Sequence, residues 1–220
     1  MYSIPPDPEM THYHIPARET RTELRIQKSR FITTAAPAFT IEQARQFIAR
    51  IKAEFPDASH NVPAYLIGFG ASVIAHSSDD GEPSGTAGRP ALVVLSNSGL
   101  GDIAVVVTRY FGGIKLGAGG LVRAYTESVQ QVLAALPIAR KTPTHTAKLV
   151  LPYRGYNFAK SIIEKHEGRI ENQEFAADVS FTFEMPVQSF ANFQSELERA
   201  AQRKIELQIL HTEDKIHPIK

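Results

Sequence analysis

Cysteine is absent from the 220 residues, which removes disulfides, thiolate zinc sites, iron–sulfur clusters and a cysteine nucleophile from consideration. The absence suits a reducing cytosol. A secretory h-region is lacking too. The opening MYSIPPDPEMTHYHIPARE holds no apolar run, and nowhere does such a run reach the ~18 residues that would span a bilayer. These absences predict a soluble, untargeted, cytoplasmic protein with no membrane partner. Charge of one sign is also in short supply. A formal net charge of +1 and a pI near 8.0 exclude a protein that coats polyanions over its whole surface, so any contact with nucleic acid needs a local basic patch. GxxxxGK[ST] and GxGxxG are both missing, which excludes a Walker loop and a dinucleotide fingerprint. The histidines between His12 and His217 have no ligand-like spacing. No cofactor is implied.

What the chain does have is apolar content for a real core, 43% hydrophobic against 21% charged, and length enough for two small domains. Its glycine is concentrated: ten of the fourteen fall between Gly81 and Gly120. That stretch reads SSDDGEPSGTAGRP from Ser77 and VVVTRYFGGIKLGAGGLVRAY from Val105. Glycine permits positive φ and lets a partner approach the main chain, at an entropic cost of roughly 0.5–1 kcal/mol each. Charge is sorted along the same stretch. Asp79, Asp80 and Glu82 crowd the first loop with no cation, whereas Arg109, Lys115 and Arg123 occupy the second with no acid between Asp102 and Glu127.

In chain order, residues 1–17 carry Pro5, Pro6, Pro8 and Pro16 and read as a mobile leader. Thr20 to Lys28 and Phe31 to Ala36 alternate as two strands. Thr40 and Gln43 fit a capping box before a helix whose apolar face runs from Ile41 to Phe55 and which Pro56 ends. Ala64 to Phe69 and Ser72 to His76 read as a strand pair joined through Gly70. Residues 90–96 suit a helix begun by Pro90 or a strand centred on LVVL. Ile103 to Thr108 is short, β-branched and apolar on both faces, the mark of a central strand. Leu121, Val122, Tyr125, Val129, Val132, Leu133 and Leu136 line one side of a following helix.

Pro137 and Pro143 bracket a connector, which separates a first domain at 18–138 from a second at 143–214. The second reads as strand, helix, strand, strand, helix, strand, the last from Ile205 to Ile209. That βαββαβ order is the order of a ferredoxin-like sandwich. The predicted class is therefore α+β in two domains.

SDDGEPSGTAGRP followed by VVVTRYFGGIKLGAGGLVRAY resembles the YigZ/IMPACT family, and KSRFI at Lys28 to Ile32 and DASHNVPAY at Asp57 to Tyr65 look like its earlier landmarks. The resemblance implies a first domain like the second domain of a small-subunit ribosomal protein, as in domain IV of elongation factor G, and a ferredoxin-like second domain like that of the bacterial branch. Eukaryotic relatives are linked to translational control under amino-acid starvation, through competition for the activator of a starvation-sensing kinase. They carry a different additional domain that this chain lacks, so the resemblance does not transfer that partner.

A helix beginning near Ala118 presents free amides and its positive end to the loop that holds Gly112, Gly113, Gly117, Gly119 and Gly120. With Arg109, Lys115 and Arg123 around it, such a loop suits a phosphate, and Tyr110 and Phe111 could stack on bases. LGAGGLV faintly resembles the phosphate loop of small-molecule kinases. Each feature has another reading. The glycines serve equally for tight turns, Tyr125 for the core, and Arg109 and Arg123 for a clasp with Asp79, Asp80 or Glu82. The acidic loop with His60 or His76 offers oxygen ligands for Mg²⁺, while acidic loop residues also commonly form turns, and no metal is expected. Ser84 and Thr86 have no His/Asp relay in sequence.

Three functions follow. The first is a non-enzymatic protein of translation or RNA metabolism that binds phosphates of structured RNA or the ribosome. The second is a phosphate-substrate or nucleotide-dependent enzyme built on Asp79–Glu82. The third is a regulator that binds a translation-control protein.

Overall fold

The computed structural model describes residues 12–218, which divide into two compact units, one running through Arg140 and the other covering Lys141–His217. The boundary falls inside a strand, where the sequence suggested a loop between prolines. The fold class is α+β in two domains, with two sheets and five helices among the described residues.

The first unit contains β1 (Tyr13–Pro16), β2 (Thr20–Ile26), β3 (Ser29–Pro37), α1 (Ile41–Glu54), β4 (His60–Ile67), β5 (Ile74–Ser77), α2 (Gly88–Ser96), β6 (Ile103–Tyr110) and α3 (Gly117–Ala135). Its sheet has the order β2-β3-β6-β4-β5, and every neighbouring pair is antiparallel. β6 is central, as its two-sided apolar pattern predicts. Ile103, Val105 and Val107 enter the core under α2 and α3, while Ala104 and Val106 enter the core under α1. Strand pleating sends alternate side chains to opposite faces, so one strand supplies both layers.

Thr40 caps α1 by accepting the Gln43 amide at 3.1 Å, and the Gln43 side chain reaches back to the Phe39 amide at 2.8 Å. The ambiguous residues 90–96 are helical, and α2 buries Gly88, Ala91 and Leu95 at helical spacing. On α3 the buried set is Leu121, Ala124, Tyr125, Ser128, Val129 and Val132, which corrects the expectation for Val122; that residue is exposed. The expected leader is corrected at its end: Tyr13–Pro16 is a strand with Ile15 fully buried. Residues 1–11 of the leader lie outside the described residues.

The second unit takes in most of β7 (Ile138–Leu151), then α4 (Tyr156–Lys165), β8 (Arg169–Phe175), β9 (Val179–Pro186), α5 (Val187–Ala201) and β10 (Leu207–Pro218). Its strands lie in the order β10-β7-β9-β8, the arrangement of a ferredoxin-like unit. Leu149, Phe181, Phe183 and Met185 pack with Ala159, Ile163, Phe193 and Leu197 of the helices in one core. β10 starts at Leu207 and runs past the predicted end at Ile209. Among the described residues, no helix is long and apolar enough to cross a membrane.

Candidate functional site

The two motifs meet at the end of β6. Arg109 follows Ile103, Val105 and Val107 at strand period two, so its side chain enters the face that α3 covers. Phe31 of β3 and His60 of β4 are its cross-strand neighbours. The residue is 4% exposed. Its Nη1 donates to Glu82 Oε1 at 2.5 Å, and Glu82 is itself buried. Tyr125 Oη donates to the same carboxylate oxygen at 2.7 Å. Desolvation, and after it the Glu82 charge, pushes the Tyr125 phenol far above its ordinary range, so it stays a donor. His60 Nε2 stands 3.8 Å from Glu82 Oε2. Phe31 and Phe111 lie against the guanidinium at 5.4 and 5.7 Å from ring centroid to Cζ. Arg109 is therefore corrected from a phosphate ligand to half of a buried clasp, one of the two roles its position allowed. The reason is strand parity.

The other loop acids are also engaged. Asp79 Oδ1 accepts the Gly88 amide at 2.8 Å and the Ala87 amide at 3.0 Å, and Oδ2 accepts the Gly85 amide at 2.8 Å. It thus caps α2 from nine residues upstream. Burial works to raise the Asp79 carboxyl, but the three amides from Gly85, Gly88 and Ala87 outweigh it and hold the group below the usual aspartate range. Asp80, at φ +47°, takes Lys52 Nζ at 2.5 Å and the Asn61 amide at 2.6 Å, while its carbonyl meets His60 Nδ1 at 2.8 Å. Thr86 donates to the Pro83 carbonyl at 2.7 Å inside its own turn. Ser84 is exposed, and His76 sits against Tyr65 on the β4–β5 pair. The carboxylates proposed for Mg²⁺ thus point at different protein donors.

The glycine loop is open by contrast. Gly112 passes so close to the β2–β3 turn that an added Cβ would lie 1.9 Å from the Lys28 carbonyl carbon, a close approach that explains this glycine. Gly113 and Gly117 have φ of +85° and +73°. α3 starts at Gly117 with Leu116 at its N-cap and no side-chain cap. Gly113, Lys115, Gly117, Gly119 and Arg123 are exposed, and Gly120 is half-buried. Neither Lys115 nor Arg123 forms an ion pair with a described residue. Arg123 thus stays outside the clasp. Tyr110 is half-buried under Arg30 at 5.6 Å, its hydroxyl bonded to Asp57 at 2.8 Å, which leaves Phe111, 49% exposed, as the open aromatic. Sequence reasoning missed Ser29, whose Oγ accepts from Arg109 Nη2 at 3.4 Å and from the Gly112 amide at 3.3 Å. Its position inside KSRFI was the available signal.

The Impact N-terminal domain family matches residues 27–133, and a Domain of unknown function (DUF1949) matches residues 149–202. The chain is 40% identical over 189 residues to the IMPACT family member YigZ of Escherichia coli strain K12, an alignment covering 86% of this chain and 93% of the relative. It is 34% identical over 215 residues to the IMPACT family member YvyE of Bacillus subtilis strain 168, covering 96% of this chain and 99% of that one. A crystal structure described as that of a hypothetical protein superposes with a TM-score of 0.62 at 37% identity, covering 92% of this chain and 98% of the other. With both domain families in the expected order and relatives matching almost end to end, the chain belongs to the IMPACT family.

Proposed function

We propose that the protein is a non-enzymatic, cytoplasmic regulator of translation or RNA metabolism that docks phosphates of structured RNA or of the ribosome on the Gly113–Arg123 surface. One observation carries the reading: α3 begins without a side-chain cap, with Gly117 and Gly119 exposed and with Lys115 and Arg123 beside it unpaired. Uncapped N-terminal amides and the positive end of a helix dipole favour an oxyanion. Side chains that would block the approach of a bulky polyanion are missing from 112–113, 117 and 119–120. Phe111 stands next to this surface with its amide donated to Ser59 Oγ at 3.0 Å, which suits a fixed platform for a base.

The nucleotide-dependent enzyme is less well supported, because Asp79, Asp80 and Glu82 each already serve a protein donor. The test is binding of structured RNA and of ribosomes by wild type and by a Lys115→Glu/Arg123→Glu variant over a salt series. Two phosphate contacts at a slope of about −0.7 each predict roughly a sevenfold loss of affinity from 50 to 200 mM salt. That dependence should vanish in the variant. RNA binding that is salt-insensitive, or unchanged in the variant, would refute the reading. Recovery of a translation-control protein that binds the same surface while RNA does not would replace it with the protein-binding alternative.

A further inference from the structure

The second unit contains a cavity of about 270 Å³ between the end of β7 and the end of α5. Its floor is apolar. Leu151 and Ile205 are buried there, and Phe158 is half-buried. Its rim is cationic, lined by Arg154 and Arg203, both exposed. Neither guanidinium has an ion pair or side-chain hydrogen bond with a described residue. Elsewhere in the unit Lys141 is tied to Asp214, Lys165 to Glu196, Arg169 to Glu171 and Lys215 to Glu184, while Lys148, Lys160 and Lys204 form no ion pair with a described residue and line no part of the cavity.

α4 follows directly on a 3-10 turn at Tyr153–Gly155, in which the Gly155 amide donates to the Pro152 carbonyl at 2.8 Å and the Tyr156 amide to the Tyr153 carbonyl, and Gly155 lines the cavity. At the end of α5 the Gln202 amide donates to the Glu198 and Arg199 carbonyls and the Arg203 amide donates to Glu198 O at 3.3 Å, which fixes the chain that carries Arg203. Gln202, which also lines the cavity, holds φ at +51°, a strained conformation for a residue with a Cβ. An apolar floor and two forked donors without an ion partner form one coherent recognition set. Arginine's planar fork matches phosphate oxygens in pairs, and the volume lies near the small end of ligand pockets.

We propose that this cavity binds a small phosphate monoester with a flat apolar body, the size of a mononucleotide. The phosphate sits between Arg154 and Arg203, and the body lies on Leu151, Phe158 and Ile205. This inference is independent of the RNA reading.

The experiment is isothermal titration of the full chain with AMP, adenosine and inorganic phosphate. AMP is expected to bind saturably and more tightly than either fragment. Arg154→Gln and Arg203→Gln should each weaken AMP by roughly tenfold, about 1.4 kcal/mol. Arg199→Gln, in the last turn of α5 but outside the cavity lining, should leave it unchanged, as should Lys115→Glu/Arg123→Glu. No saturable AMP binding, adenosine binding as tight as AMP, equal weakening by Arg199→Gln, or loss of AMP binding in the Lys115/Arg123 variant would each overturn the assignment.

Discussion

Arg109 and Glu82 are joined in the interior, where a charge left alone is far more costly than a charge at the surface. Burying such a pair brings little net stability, because desolvation offsets the attraction, but removing one member leaves the other uncompensated and costs about 3–5 kcal/mol. Glu82→Gln is therefore expected to destabilise the first unit by about that amount in denaturant melts, whereas Arg109→Met/Glu82→Leu/Tyr125→Phe, which also removes the hydroxyl that donates to Glu82, should cost much less. Equal losses in the two variants would show that an uncompensated buried charge is not the source of the single variant's loss. Asp79 predicts a pH dependence. Its carboxyl lies below the ordinary aspartate range when folded, so its contribution is fully present above the unfolded-state value, near 3.9, and is lost as pH falls through the lower folded value. Asp79→Asn turns one of the two accepting oxygens into an NH2 group facing a backbone amide, and should therefore lower stability by roughly 1–2 kcal/mol at neutral pH. The gap to wild type should close as pH falls below the ordinary aspartate range and the folded carboxyl takes up its proton, as acid melts would show. A constant gap would mean that charge is not the cause.

At the level of elements, the glycines separate into two kinds that composition alone could not distinguish. Gly112 is held against Lys28 backbone, so Gly112→Ala has to push the β2–β3 turn away, at about 1–3 kcal/mol. Gly119 faces open space in the first turn of α3, so Gly119→Ala should stabilise that helix by roughly 0.5–1 kcal/mol. Thermal melts of the two variants moving in the same direction would refute this division. Elements with a strong period were legible: β6 from its two-sided apolar run, α1 from its cap and stripe, and the βαββαβ order of the tail from alternation. The pairing of the two motifs was only half legible. Parity along β6 already aims Arg109 inward with Val105 and Val107, yet that signal competes with the expectation that arginine sits outside. The Asp79 cap was hidden because it reaches the Gly88 amide across nine residues, beyond the span of local capping patterns. Residues 90–96 stayed ambiguous because LVVL is apolar enough for either a strand or a buried helix, and the upstream carboxylate supplies what the local sequence does not.

Across the whole molecule, the net charge of +1 conceals a division of labour among its cations. Arg21 is bound to Glu54, Arg50 to Glu19, Lys52 to Asp80 and Lys165 to Glu196. Exposed pairs of this kind contribute only about 0–1 kcal/mol each. Their larger effect is to cancel the field at a distance, which salt screens within about 8–10 Å in any case. Lys115 with Arg123, and Arg154 with Arg203, are among the cations that have no ion partner in the described residues, each pair confined to its own unit. The uncapped start of α3 has a further consequence, for proteases. Trypsin needs an accessible basic side chain on a chain segment that can unfold into its cleft, and exposed loops of small residues are preferred sites of nicking. Within residues 103–123, limited digestion should cut after Lys115 well before it cuts after Arg109, whose carbonyl accepts the Ser59 amide at 2.9 Å and whose side chain is sealed in. A polyanion seated on that loop would protect Lys115, so the cleavage pattern would report occupancy without any label.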